Sequence, residues 1–161
     1  MVAIKIGDGG DLTFYSGKGV HAPKSFESTQ CEFGGGDRLL GAGSDVAYLV
    51  GGGHDDHIQG GDGMDIAFGD HAIIHFYEDQ PFKLKFATTS LGNCTDGSDY
   101  IALGSSDDLA FGGGMGDVIY GNAGQDILFG DFGQFNAEKE FLPGEYSMNI
   151  KKVFNIDFDL S

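Results

Sequence analysis

Aspartate recurs at every ninth position from Asp99 through Asp108 and Asp117 to Asp126. Each precedes a three-residue apolar or aromatic run: Tyr100-Ile-Ala102, Leu109-Ala-Phe111, Val118-Ile-Tyr120 and Ile127-Leu-Phe129. A Gly-rich turn follows each run. A nine-residue unit of turn plus short strand cannot bury its own apolar side chains, so consecutive units must stack, which is the logic of a solenoid.

The turns carry the chemistry. A hard divalent cation such as calcium takes six to eight oxygens from carboxylates and carbonyls. Gly-rich turns reach backbone conformations that aim several carbonyls at one point, and the Asp closing each turn adds a short anionic ligand. Two turns on one edge, eighteen residues apart, would share an ion. This pairs Asp99 with Asp117 on one edge and Asp108 with Asp126 on the other. A less regular series, Asp37, Asp45, Asp56 and Asp65, has spacings of 8, 11 and 9. Aligning it with the later series needs one extra residue near Tyr48-Leu-Val50, most simply a β-bulge.

These units resemble the glycine-rich nonapeptide repeats of the RTX (repeats-in-toxin) family, whose consensus is Gly-Gly-x-Gly-x-Asp-x-apolar-x. Gly60-Gly-Asp-Gly63-Met-Asp65-Ile-Ala-Phe68 fits without departure. Gly112-Gly-Gly114-Met-Gly116-Asp117-Val-Ile-Tyr120 fits after a one-residue offset, and Gly121-Asn-Ala-Gly124-Gln-Asp126-Ile-Leu-Phe129 departs only at the second glycine. The resemblance covers residues 37–68 and 99–129. It implies a secreted, calcium-loaded parallel β-roll with several ions, and implies neither toxicity nor catalysis.

Charge agrees with liganding. Of 19 Asp, 14 lie in residues 37–70 and 96–131, where Arg38 is the only basic residue and Glu is absent, leaving 13 net negative charges there. Apolar residues at a fixed interval argue against a disordered acidic tail. Such acidity also makes nucleic acid or an anionic membrane a poor partner. No membrane-spanning apolar run and no signal-peptide h-region are present.

A longer repeat encloses the short one. Gly7-Asp8, Gly69-Asp70 and Gly130-Asp131 each follow an apolar run, 62 and 61 residues apart. The reading is therefore residues 1–6 as the tail of a preceding module, modules at 7–68 and 69–129, and half of a third at 130–161. Ile4-Lys-Ile6 takes the place of Ile66-Ala-Phe68 and Ile127-Leu-Phe129. Each module opens with a divergent segment, which reads as two strands joined by a Pro-containing loop, with Ala72–Phe76, Phe82–Phe86 and Phe154–Leu160 as strands. The expected fold is all-β: a parallel β-roll interrupted once per module of about 62 residues by a two-stranded segment.

Other candidates are weaker. Within Gly53–His57, His54 and His57 would not share a face, so a transition-metal site is not expected there. His21, His71 and His75 read as isolated surface or strand residues. Ser16, Ser44, Ser105 and Ser106 have no base placed beside them, so the chain is not expected to be an enzyme. Cys31 and Cys94 hold equivalent module positions, too far apart in a stacked array for a direct disulfide. Asn93-Cys94-Thr95 is an N-glycosylation sequon.

The expected function is a secreted, calcium-stiffened structural or adhesive repeat belonging to a longer extracellular array. Its partners would be further copies of the module, other chains or glycans. The alternative is the calcium-folding secretion and stability module of an exoenzyme. Ile101, Ala110, Ile119 and Leu128 are the expected inward residues. Their neighbours Tyr100, Leu109, Phe111, Val118, Tyr120, Ile127 and Phe129 then face outward, so residues 99–129 are expected to be covered on both faces, by the opening segments or by another chain.

Overall fold

The computed structural model describes residues 2–16, 22–29, 34–41, 43–89 and 95–137, together with the backbone of 150–155. It is all-β. The chain opens with β1 (Val2–Ile6), leaves for the pair β2 (Gly10–Phe14) and β3 (Pro23–Ser28), and then runs through β4 (Arg38–Leu40), β5 (Val46–Val50), β6 (His57–Gln59) and β7 (Asp65–Phe68). A second pair follows, β8 (Ala72–Phe76) and β9 (Leu84–Thr89). After it come β10 (Tyr100–Ala102), β11 (Leu109–Phe111), β12 (Val118–Tyr120) and β13 (Ile127–Phe129), then a third pair, β14 (Gly133–Ala137) and β15 (Ile150–Asn155).

These strands sort into three sheets. The central sheet is parallel, in the order β1-β5-β7-β11-β13, and a parallel outer sheet has the order β4-β6-β10-β12. From β4 to β7 and from β10 to β13 the chain steps alternately between the two. Partners in the central sheet are therefore 18 residues apart, as in Tyr48↔Ile66 and Leu109↔Ile127. Where a strand pair intervenes the offset becomes 43, as in Ile66↔Leu109, 25 residues more. Small and aliphatic side chains fill the space between the two sheets: Leu39, Ala47, Leu49, Ile58, Ala67, Ile101, Leu103 and Ala110.

The three inserted pairs do not stand separately. They join in one antiparallel sheet, β15-β14-β9-β8-β3-β2, which packs on the other face of the central sheet. Phe26, Ile74, Phe76, Ala87 and Phe135 from this sheet meet Tyr48, Ile66, Phe68, Leu109, Phe111 and Phe129. Phe68, Phe111 and Phe129 sit in register on adjacent strands and stack with centroid distances of 4.6 and 4.7 Å. The Tyr48 hydroxyl donates to the Phe82 carbonyl at 2.7 Å, tying the central sheet to the β8–β9 loop.

Three expectations need correction. Coverage on both faces holds for β11, where Leu109, Ala110 and Phe111 are wholly buried, but not for the outer sheet: Tyr100, Val118 and Tyr120 are 40%, 44% and 51% exposed. The reason is topological, since among the described residues the inserted strands lie on one side only. Leu128, an inward position, is exposed because β13 ends its sheet. There is also no bulge at Tyr48–Val50, where pairing with β1 and β7 is continuous. The offset instead falls from 19 at Leu40↔Gln59 to 18 at Tyr48↔Ile66, which puts the extra residue in the turn between β4 and β5. Strand positions agree at Ala72–Phe76, whereas Phe82 lies in a turn with φ 61° ahead of β9. Of Phe154–Leu160, residues 156–160 lie outside the described residues.

Candidate metal centre

Short strands of fixed register carry the residue ahead of each strand into a column. Along one edge, Asp37, Asp56, Asp99 and Asp117 immediately precede β4, β6, β10 and β12. Each carboxylate reaches back to the aspartate before it. Asp56 Oδ1 accepts from the Asp37 N–H at 2.6 Å, Asp99 Oδ1 from Asp56 at 2.8 Å, and Asp117 Oδ1 from Asp99 at 2.9 Å. The other edge repeats the device: Asp108 Oδ1 accepts from the Asp65 N–H at 2.7 Å and Asp126 Oδ1 from Asp108 at 3.0 Å. The predicted pairs Asp99/Asp117 and Asp108/Asp126 are thus adjacent, each on its own edge. Asp45 stands outside the column, because Ala47 takes the register position of Asp65.

Five of these carboxylates have one oxygen committed and the other not. Asp56 Oδ2, Asp99 Oδ2, Asp117 Oδ2, Asp108 Oδ2 and Asp65 Oδ1 are buried with no hydrogen-bond partner. Burial pushes Asp56, Asp99 and Asp108 up to about 7 and Asp117 to about 6, and like charges along the column add to this. A buried carboxylate lacking a counter-charge takes up a proton or a cation.

Glycines shape the space around these oxygens. A Cβ at Gly51, Gly69 or Gly112 would collide with Oδ2 of Asp56, Asp99 or Asp117, and also with the carbonyl of Gly69, Gly112 or Gly130. Carboxylate and carbonyl oxygens therefore converge at each step, which is the hard donor set calcium prefers. On the other edge a Cβ at Gly60 would meet Asp65 Oδ2, which accepts from the Gly61 N–H, and one at Gly121 would meet Asp126 Oδ2. Of the other predicted glycines, Gly63 packs on the Asp45 carbonyl, Gly114 on the Asp96 carboxylate, and Gly124, at φ +139°, on the Ser106 carbonyl. Gly116 faces open space. Among the described residues no three His, Cys, Asp or Glu side chains cluster at metal-ligand spacing, so backbone oxygens must complete any cage. Asn93, Cys31, Cys94 and His21 lie outside the described residues.

Sequence reasoning missed a second set on the first edge. Asp70 accepts from Gly97 N–H at 2.8 Å and Gly114 N–H at 2.6 Å, and burial pushes it up to about 8. Asp8 accepts from Gly53 N–H at 2.6 Å. Both belong to the Gly-Asp pairs that mark the module period, a signal read as punctuation rather than chemistry. His71 also differs from expectation, being 1% exposed with neither ring nitrogen partnered. His54 is exposed and lines, with Gly34, Gly35, Gly36, Asp55 and Asp96, an open cleft of about 440 Å³. His57 does not line it and stacks on Tyr100 at 4.8 Å. Comparison of the chain with known protein families, characterised proteins and solved structures finds no match.

Proposed function

We propose that the two parallel sheets are a β-roll of the RTX type, that calcium fills its aspartate-lined edges, and that the protein is a calcium-stiffened extracellular repeat with a structural or adhesive role. The observation carrying this reading is the set of five buried carboxylate oxygens without partners, arranged in two columns, with those of Asp56, Asp99 and Asp117 held against glycine. Each unpaired buried polar group costs roughly 1–3 kcal/mol, and more when charged. Calcium bridging consecutive turns removes that cost and neutralises the columns. Sites of this kind load where calcium is abundant, at the roughly 0.1–1 mM typical of extracellular modules. The inserted strand pairs give the roll its own apolar cover, and further modules or other chains continue the array.

Calcium titration of the chelated protein, followed by circular dichroism and thermal melting, tests this. Metal-free protein should lose β signal and melt far lower, because binding free energy is folding free energy in such sites. An unchanged spectrum and melting temperature in excess EDTA would exclude the calcium reading.

A further inference from the structure

The first edge contains one group that an all-oxygen calcium site does not use. His71 follows Asp70 at the start of the second inserted segment, in a turn otherwise built from Gly and Asp. It is 1% exposed, and neither Nδ1 nor Nε2 has a hydrogen-bond partner. A buried imidazole with both nitrogens idle carries two unmet polar groups where a small exposed residue would carry none.

Donors from two other segments lie beside it. Gly53 has no side chain, and the point its Cβ would occupy lies 3.6 Å from His71 Nε2, 3.6 Å from Asp8 Oδ2 and 2.9 Å from the Thr95 carbonyl oxygen. Asp8 is anchored there by the Gly53 N–H at 2.6 Å, and Thr95 by the His54 N–H at 3.2 Å. Asp96, next in sequence to Thr95, is a second acid acting on the imidazole.

We propose that His71, Asp8 and the Thr95 carbonyl form a separate site for a borderline transition-metal dication, zinc being the type, distinct from the calcium columns. The selectivity is chemical. Imidazole suits zinc and its neighbours, whereas calcium and magnesium sites are built from oxygen alone. With two side chains and one carbonyl from the protein, the fourth position of a tetrahedral shell falls to water.

The test uses the full chain with calcium in saturating excess, so that the all-oxygen sites are filled, and titrates zinc by calorimetry while following the imidazole nitrogens by NMR. A single equivalent of zinc should bind and displace the His71 ring signals. His71→Gln should weaken binding by at least about tenfold, and His54→Gln and His57→Gln should leave it unchanged. Zinc binding that is absent, that leaves the His71 resonances in place, or that survives His71→Gln would overturn the proposal. Should His71→Gln fail to fold, the wild-type ring signals decide. A chain that binds zinc at His71 but ignores calcium would overturn the calcium reading alone, and the reverse result would overturn this one alone.

Discussion

Asp99 places a carboxylate where the metal-free fold penalises its charge. Its Oδ1 is satisfied by the Asp56 N–H, while its Oδ2 is buried against Gly69 and the Gly112 carbonyl. With its pKa raised by burial to about 7 from an unfolded value near 3.9, the folded chain holds more protons than the unfolded chain between those limits. The contribution of Asp99 to metal-free stability is therefore lost as pH rises through that window, the reverse of a salt-bridged aspartate. On the proposed function, calcium would reverse the sign by occupying the oxygen. Asp99→Asn retains the acceptor for the Asp56 N–H and removes the charge, so it should raise the melting temperature in EDTA at about pH 8 and lower it in calcium. Glu78→Gln, at an exposed position outside the columns, should shift neither. Paired melting curves check this, and a shift of the same sign in both media would count against a metal at Asp99.

At the scale of elements, the stacked rings of Phe68, Phe111 and Phe129 fasten the inserted strands to the central sheet. Phe111 is wholly buried between two neighbours, and Phe111→Ala should cost about 3–5 kcal/mol. Tyr120, equally aromatic and half a circuit along, is half exposed on the outer sheet, so Tyr120→Ala should stay within about 0.5 kcal/mol. Denaturant unfolding in calcium separates the two, and equal losses would mean the outer face is covered. The sequence hid this difference because Leu109-Ala-Phe111 and Val118-Ile-Tyr120 have the same pattern, and which side the inserts cover depends on pairings such as Phe26↔Ile74 that leave no local trace. What was legible was local: the nine-residue Asp spacing, the adjacency of Asp99 to Asp117, and the strand at Ala72–Phe76. Asp8 and His71 escaped because they meet around Gly53, from segments far apart in the chain.

The whole molecule has two unlike ends. The inward row of the central sheet runs Lys5, Leu49, Ala67, Ala110, Leu128, in register across five strands. At the β1 end the row closes on Lys5, whose ammonium donates to the Leu40 carbonyl, and an inward-pointing charge on an edge strand discourages pairing with another chain. At the β13 end it closes on Leu128, 42% exposed, and neither Ile127-Leu-Phe129 nor Val118-Ile-Tyr120 carries a charge. Two neighbouring strands whose outer edges have no partner among the described residues, beside an open apolar row, are a template for further strands. The charge of −16 opposes such contact, and on the proposed function calcium would lift that opposition by neutralising the columns beside these strands. The calcium-loaded chain should therefore associate in a concentration-dependent way through the β12–β13 edge and be monomeric where it remains folded without calcium. Leu128→Lys, which gives this edge the protection Lys5 gives the other, should abolish association, whereas Tyr100→Lys on the open outer face should not. Sedimentation velocity across a range of protein concentrations distinguishes them: association lost in Tyr100→Lys and kept in Leu128→Lys would place the contact on the aromatic face instead of at the end of the stack.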